Sequence, residues 1–141
     1  MTDGTAGAGY SLPLPRLRGL TAEWYGWLAV HELRFQRCSV CQRWRHVPRE
    51  VCPGCGSPDW TWQPSTGRGH VYSWTTVYRS LHPDFTDTPY AAVVVEVDEG
   101  PRVMTRIVDR KPDELVIGMP VEVVFDDVTP EVTLATFRSS G

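Results

Sequence analysis

A chain of 141 residues and 15.9 kDa, 41% apolar and 22% charged, holds enough material for one packed domain, or one domain with a small attached module. Twelve glycines and twelve prolines exclude a helical bundle or coiled coil, and no apolar run approaches the roughly 18–20 residues that cross a bilayer. Met1–Gly9 lacks the basic and apolar regions of an export signal, so a cytoplasmic chain with no membrane partner is expected.

The net charge of −3 is unevenly spread. Seven arginines face two glutamates between Arg16 and Arg49, whereas twelve acids face four basic residues between Asp84 and Glu131. Such a basic front and acidic back fit two modules with different partners, or two halves that attract each other.

In chain order, residues 1–15 read as a disordered tail with little to bury. Residues 16–33 form a helical segment. Thr21 is the expected N-cap, Leu20 and Tyr25 a hydrophobic staple, and Trp24, Trp27, Leu28 and His31 one stripe ending near Glu32. Two tryptophans on a stripe fit either a core or a partner's groove.

Residues 34–63 carry all four cysteines, too few aliphatics to fold by burial alone, and two knuckles, Cys38-x-x-Cys41 and Cys52-x-x-Cys55. Each knuckle can offer two thiolates from one tight turn, so the pair suits a tetrahedral zinc ion with no open coordination position, a structural metal. The second knuckle has glycines at Gly54 and Gly56 that free the backbone to aim amides at sulfur; the first has Gln42 where the second has Gly56. Disulfides, a redox pair and free buried thiols are the competing readings.

Residues 64–141 turn to strand patterning. Gly69–Tyr78 alternates, with Tyr72, Trp74, Thr76 and Tyr78 on one face and Val71, Ser73, Thr75 and Val77 on the other. The run Val93-Val94-Val95 reads as a strand buried on both sides or at a barrel closure, and Glu99-Gly100-Pro101 as the turn to a partner at 102–108. A short helical turn over Pro112–Ile117 precedes strands at Val121–Phe125 and Val132–Phe137. Five such strands with one irregular link, after a leading helix and a cysteine-rich insert, predict a mainly β fold ending in a small five-stranded Greek-key barrel such as the OB-fold, with an SH3-like barrel or small sandwich as the rival.

The four histidines, at 31, 46, 70 and 82, are scattered, and no nucleophile, phosphate-loop or dinucleotide motif is present. No catalytic residue is expected. An OB-fold nucleic-acid binder is the alternative reading, since Tyr72, Trp74 and Tyr78 could stack bases, but twelve acids on the same module would repel phosphate.

Four segments in order resemble the DUF35 family: Leu33-Arg34-Phe35-Gln36-Arg37-Cys38, Cys52-Pro53-Gly54-Cys55-Gly56, the run from Gly67 to Thr75, and Ile117-Gly118-Met119-Pro120-Val121-Glu122-Val123. The resemblance implies an N-terminal helix, a rubredoxin-like zinc ribbon and a C-terminal five-stranded OB-fold barrel, and an accessory role beside thiolase-superfamily enzymes, including lipid-transfer-protein-like aldolases of steroid side-chain degradation. The thiolase-like subunit would carry the reacting residues. On this chain, Cys38, Cys41, Cys52 and Cys55 would hold zinc, and Trp24, Trp27, Arg34, Arg37, Arg43 and Arg45 would meet the partner subunit or the phosphates of an acyl-CoA. Gln42 and the paired tryptophans depart from the family pattern.

Overall fold

The computed structural model describes residues 12–80, 83 and 87–140; the expected tail up to Ser11, and His82, lie outside them. Helix α1 spans Gly19–Ala29. A ribbon follows, with β1 (Arg34–Cys38), β2 (Trp44–Arg45) and β3 (Trp60–Pro64) in the order β2-β1-β3. The second sheet contains β4 (Arg68–Val77), β5 (Tyr90–Val97), β6 (Arg102–Thr105), β7 (Pro120–Asp127) and β8 (Thr133–Ser139), ordered β6-β5-β4-β7-β8, all antiparallel. A 3-10 turn at Pro112–Glu114 joins β6 to β7.

The five-strand sheet curls until its two edges meet. Just beyond β6, Ile107 bridges Phe137 of β8 in parallel, with Val108 N–H donating to Phe137 O at 2.8 Å and Phe137 N–H to Arg106 O at 3.1 Å. A three-strand meander and a hairpin closed by one parallel contact is OB-fold topology, as expected from sequence.

Helix α1 starts two residues before the expected cap, with Arg18 in extended conformation at the N-cap and no side chain capping it. Neither the Thr21 cap nor the staple forms. The helix stops at Ala29, because His31 turns into the left-handed region at φ 60°. His31 therefore leaves the stripe. Its Nε2 lies 3.0 Å from both carboxylate oxygens of Asp127, its ring stacks on Phe125 at 5.0 Å, and it fastens the end of the helix to β7.

A bulge at Tyr72 overturns the expected faces of β4. Pairing shifts from Val71↔Val95 to Ser73↔Val94, so Trp74 falls opposite Val93 and joins Val71 on the inner face. Tyr72 remains outside, under the Arg102 guanidinium at 3.8 Å, and Tyr78 lies beyond the end of the strand. The three aromatics expected to stack bases are thus dispersed. Strand β5 also differs: Val93, Val95 and Val97 are buried while Val94 is half-exposed, which is one-sided burial with period two.

One core runs through the molecule. Trp24 and Leu28 of the helix and Leu33 and Phe35 of the ribbon belong to the same buried cluster as Val71, Val95 and Phe137 of the barrel. A short leading helix needs something to bury its apolar stripe on. Here it is the wedge between ribbon and barrel.

Candidate metal centre and its surroundings

The four Sγ atoms of Cys38, Cys41, Cys52 and Cys55 lie within 4.8 Å of one another. Cys38 and Cys55 are 3.6 Å apart, as are Cys41 and Cys52. A disulfide would hold its sulfurs at about 2.05 Å. A zinc ion bonded to four thiolates at about 2.3 Å sets them about 3.8 Å apart. The close pairs also run between knuckles, not within one, unlike a C-x-x-C redox pair.

In each knuckle, backbone amides hold the first cysteine toward thiolate. The Val40 and Cys41 amides approach Cys38 Sγ at 3.4 Å each, and the Gly54 amide approaches Cys52 Sγ at 3.3 Å. The Cys55 amide, aided by that of Gly54, brings the Cys52 thiol down to about 6 against the opposing pull of burial. The Cys41 amide likewise lowers Cys38. At Cys55 the Ser57 amide pulls downward, but the neighbouring Cys38 thiol and burial outweigh it and raise the group to about 11. A divalent ion bound by the four sulfurs would displace any thiol protons that remain. Four soft donors at tetrahedral spacing, with amides aimed at two of them, fit structural zinc and leave no coordination position for a substrate.

Gln36, which sequence reasoning missed, is the polar centre of the ribbon. It is fully buried; its Oε1 accepts from Arg45 Nε at 2.8 Å and from Arg49 N–H at 2.7 Å, while its Nε2 donates to Arg49 O at 3.0 Å. No local signal marks a buried glutamine inside Arg-Phe-Gln-Arg-Cys.

The six residues expected to meet a partner or acyl-CoA occupy different environments. Trp24 is 8% exposed and stacks on His46 at 4.8 Å, inside the core. Trp27 is half-buried beneath Arg34, whose guanidinium lies 4.4 Å from its ring and whose Nε meets Glu32 at 2.8 Å. Arg37 donates to Gln42 O at 3.0 Å and stacks over Trp44 at 5.0 Å. Arg43 is exposed, and its guanidinium lies across Gly54 so closely that a Cβ there would meet it at 2.6 Å. Arg45 is 7% exposed and is held by Gln36 and by Arg49 O. Trp27 of the helix and Arg34, Arg37 and Arg43 of the ribbon are partly or fully accessible, whereas Trp24 and Arg45 are buried.

The described histidines are not brought together. His31 is tied to Asp127, His70 lies 3.4 Å from Glu96, and His46 sits between Trp24 and Phe35. Among the described residues no helix is long and apolar enough to cross a membrane.

A four-cysteine ribbon wedged by one helix onto a five-strand barrel defines a zinc-ribbon/OB-fold protein. Residues 28–61 match the family described as the ChsH2 rubredoxin-like zinc ribbon domain, and residues 62–126 the ChsH2 C-terminal OB-fold domain. A solved structure described as an Ltp2-ChsH2(DUF35) aldolase contains a chain 38% identical to this one, superposing with a TM-score of 0.81 over 89% of this chain and 98% of that one. The protein belongs to the DUF35 family. It is also 39% identical over 126 residues to a probable enoyl-CoA hydratase alpha subunit of Thermomonospora curvata. Over 107 residues it is 31% identical to the 3-oxo-4,17-pregnadiene-20-carboxyl-CoA hydratase alpha subunit of Mycobacterium tuberculosis. Those matches cover 89% and 76% of this chain, but the chain spans only 39% and 34% of the two hydratase subunits.

Proposed function

We propose that this chain is a non-catalytic accessory subunit of a thiolase-superfamily acyl-CoA enzyme, assembling with a lipid-transfer-protein-like subunit that carries the reacting residues. The particular reaction is retro-aldol cleavage of a steroid side-chain thioester. One observation carries the reading: the likeness to the Ltp2-ChsH2(DUF35) aldolase chain, 38% identical and covering 98% of that chain. The name of the mycobacterial relative, a pregnadiene carboxyl-CoA hydratase subunit, supports a steroid thioester. A saturated four-thiolate centre agrees with a role in assembly rather than turnover. Trp27, Arg34, Arg37 and Arg43 are the accessible residues we assign to the partner or to acyl-CoA phosphates.

The test is co-expression with a thiolase-like subunit, followed by light scattering of the eluted species and an aldol-cleavage assay. A stable heteromer whose cleavage of a steroid side-chain CoA thioester needs both chains is the expected result. Monomeric elution beside every such candidate, or thioester cleavage by the isolated chain, would overturn it. Salt-sensitive binding of oligonucleotides would instead favour a nucleic-acid module.

A further inference from the structure

Strand β6 is an edge of the barrel sheet, and half of that edge is open. Its pairing alternates from the turn: Val97 N–H donates to Pro101 O at 3.0 Å, which makes Val97–Pro101, Val95–Val103 and Val93–Thr105 the hydrogen-bonded pairs. The backbone groups of Arg102, Met104 and Arg106 therefore point away from β5. Arg106 O is taken by Phe137 N–H of β8. Beyond that point β8 departs, its Ala135 carbonyl accepting the Thr105 hydroxyl at 2.7 Å instead of a backbone amide. Among the described residues, no backbone group pairs with the outward amides and carbonyls of Arg102 and Met104.

These groups face a built cleft. A space of about 620 Å³ lies along the edge, with Trp24 and Tyr25 of α1, Val47 and Pro48 of the ribbon loop, Met104 and Leu134 among its walls. Its charged lining is Arg102 and Arg106, and Arg106 is ion-paired with Asp126 at 3.1 Å. Proteins commonly protect an open edge with a charge, but here Arg102 is folded back over Tyr72 at 3.8 Å and bonded to Glu96 at 3.1 Å. Met104 is left 69% exposed.

We propose that this edge is the seat of β-strand addition: an extended, apolar segment of the partner enzyme subunit pairs with Arg102–Met104 in the cleft between β6 and α1. The main chain of the edge supplies the hydrogen bonds, and the aromatic and aliphatic walls take alternate side chains. The inference rests on the proposed heteromer and adds a barrel contact to the residues already assigned to the partner or to acyl-CoA.

Met104→Pro tests it, because proline removes only an outward N–H on an edge strand, a position where the sheet tolerates it. Met104→Thr keeps that N–H and changes only the side chain. In co-purification with the thiolase-like subunit, Met104→Pro is expected to weaken capture at least tenfold at unchanged zinc content and circular dichroism, and Met104→Thr far less. Hydrogen exchange on the wild-type pair, which needs no variant to fold, is expected to slow at the Met104 amide on assembly. Undiminished capture of Met104→Pro with no slowing at Met104 overturns the strand-addition site and leaves the accessory role standing; a small molecule in the cleft would give that result. Failure of the wild-type chain to capture any thiolase-like subunit removes the accessory role, and this surface with it.

Discussion

Gln42 and Gly56 hold the same left-handed backbone, at φ 66° and 78°, each directly after the second cysteine of its knuckle. The Gln42 amide donates to Cys38 O at 3.0 Å and the Gly56 amide to Cys52 O at 2.8 Å, so the two turns close identically although only one has glycine. A side chain in this region costs about 1–2 kcal/mol. Gln42 recovers part of that through its Nε2 bond to Ser39 O at 3.1 Å. Gln42→Gly is expected to hold zinc more tightly against a chelator, by up to about 1 kcal/mol after the entropy cost of glycine. Gly56→Ala, whose new Cβ would meet nothing within 4 Å, isolates the backbone effect and is expected to cost about 1–2 kcal/mol in the same competition.

Cysteine substitution addresses the metal itself. Cys52 is 2% exposed, and its sulfur is 3.6 Å from that of Cys41. Cys52→Ser is expected to lower zinc content from one equivalent to near zero and to erase the near-ultraviolet dichroism of Trp44, Trp60 and Trp62, because metal binding energy is folding energy in so small a ribbon. Elemental analysis and the spectrum together check this; full zinc with a native spectrum would contradict the site.

The alternating and spaced features were legible in the sequence: paired cysteines at knuckle spacing, five β runs, the Glu99-Gly100-Pro101 turn, and the resemblance segments that tie them in order. What escaped was set by tertiary contact. Trp74 sits on the inner face only because one extra residue at Tyr72 breaks the period, and a bulge leaves no mark in an alternating string. The helix starts at Gly19 without a capping side chain, since burial of Trp24 and Leu28 stabilises it instead. The ribbon strands were invisible for the same reason: Arg34–Cys38 buries Phe35, Gln36 and Cys38, a pattern set by metal and glutamine rather than by hydrophobic alternation.

The buried Gln36 suggests a sharper test of ribbon stability. Gln36→Leu removes three hydrogen bonds and leaves the Arg45 cation, whose Nη1 already has no partner among the described residues, still less satisfied. The expected cost is about 3 kcal/mol in urea denaturation at saturating zinc. The double variant Gln36→Leu with Arg45→Met should be more stable than Gln36→Leu alone, because it no longer buries an unpaired charge. A double variant that is the less stable of the two would show that Arg45 contributes by packing rather than through Gln36.

His46 makes stability depend on pH. Its ring lies between Trp24 and Phe35, at 4.8 and 5.5 Å, and burial lowers it to about 4 from an ordinary 6.5. Between those two values the unfolded chain binds a proton that the native ring refuses, so stability rises with pH across this window. It is complete above about 6.5, declines as pH falls toward 4, and His46 adds no further slope below that. The full loss is about 3 kcal/mol. Acid also protonates the metal thiolates, so the His46 contribution is the difference between the wild type and His46→Phe, which keeps an aromatic ring in the stack but cannot titrate. Denaturant curves from pH 7.5 down to pH 4.5 should show the wild type losing stability faster than His46→Phe, the gap widening below pH 6.5. Parallel curves would mean that the ring is protonated in the native state and is not the buried neutral group its position between Trp24 and Phe35 requires.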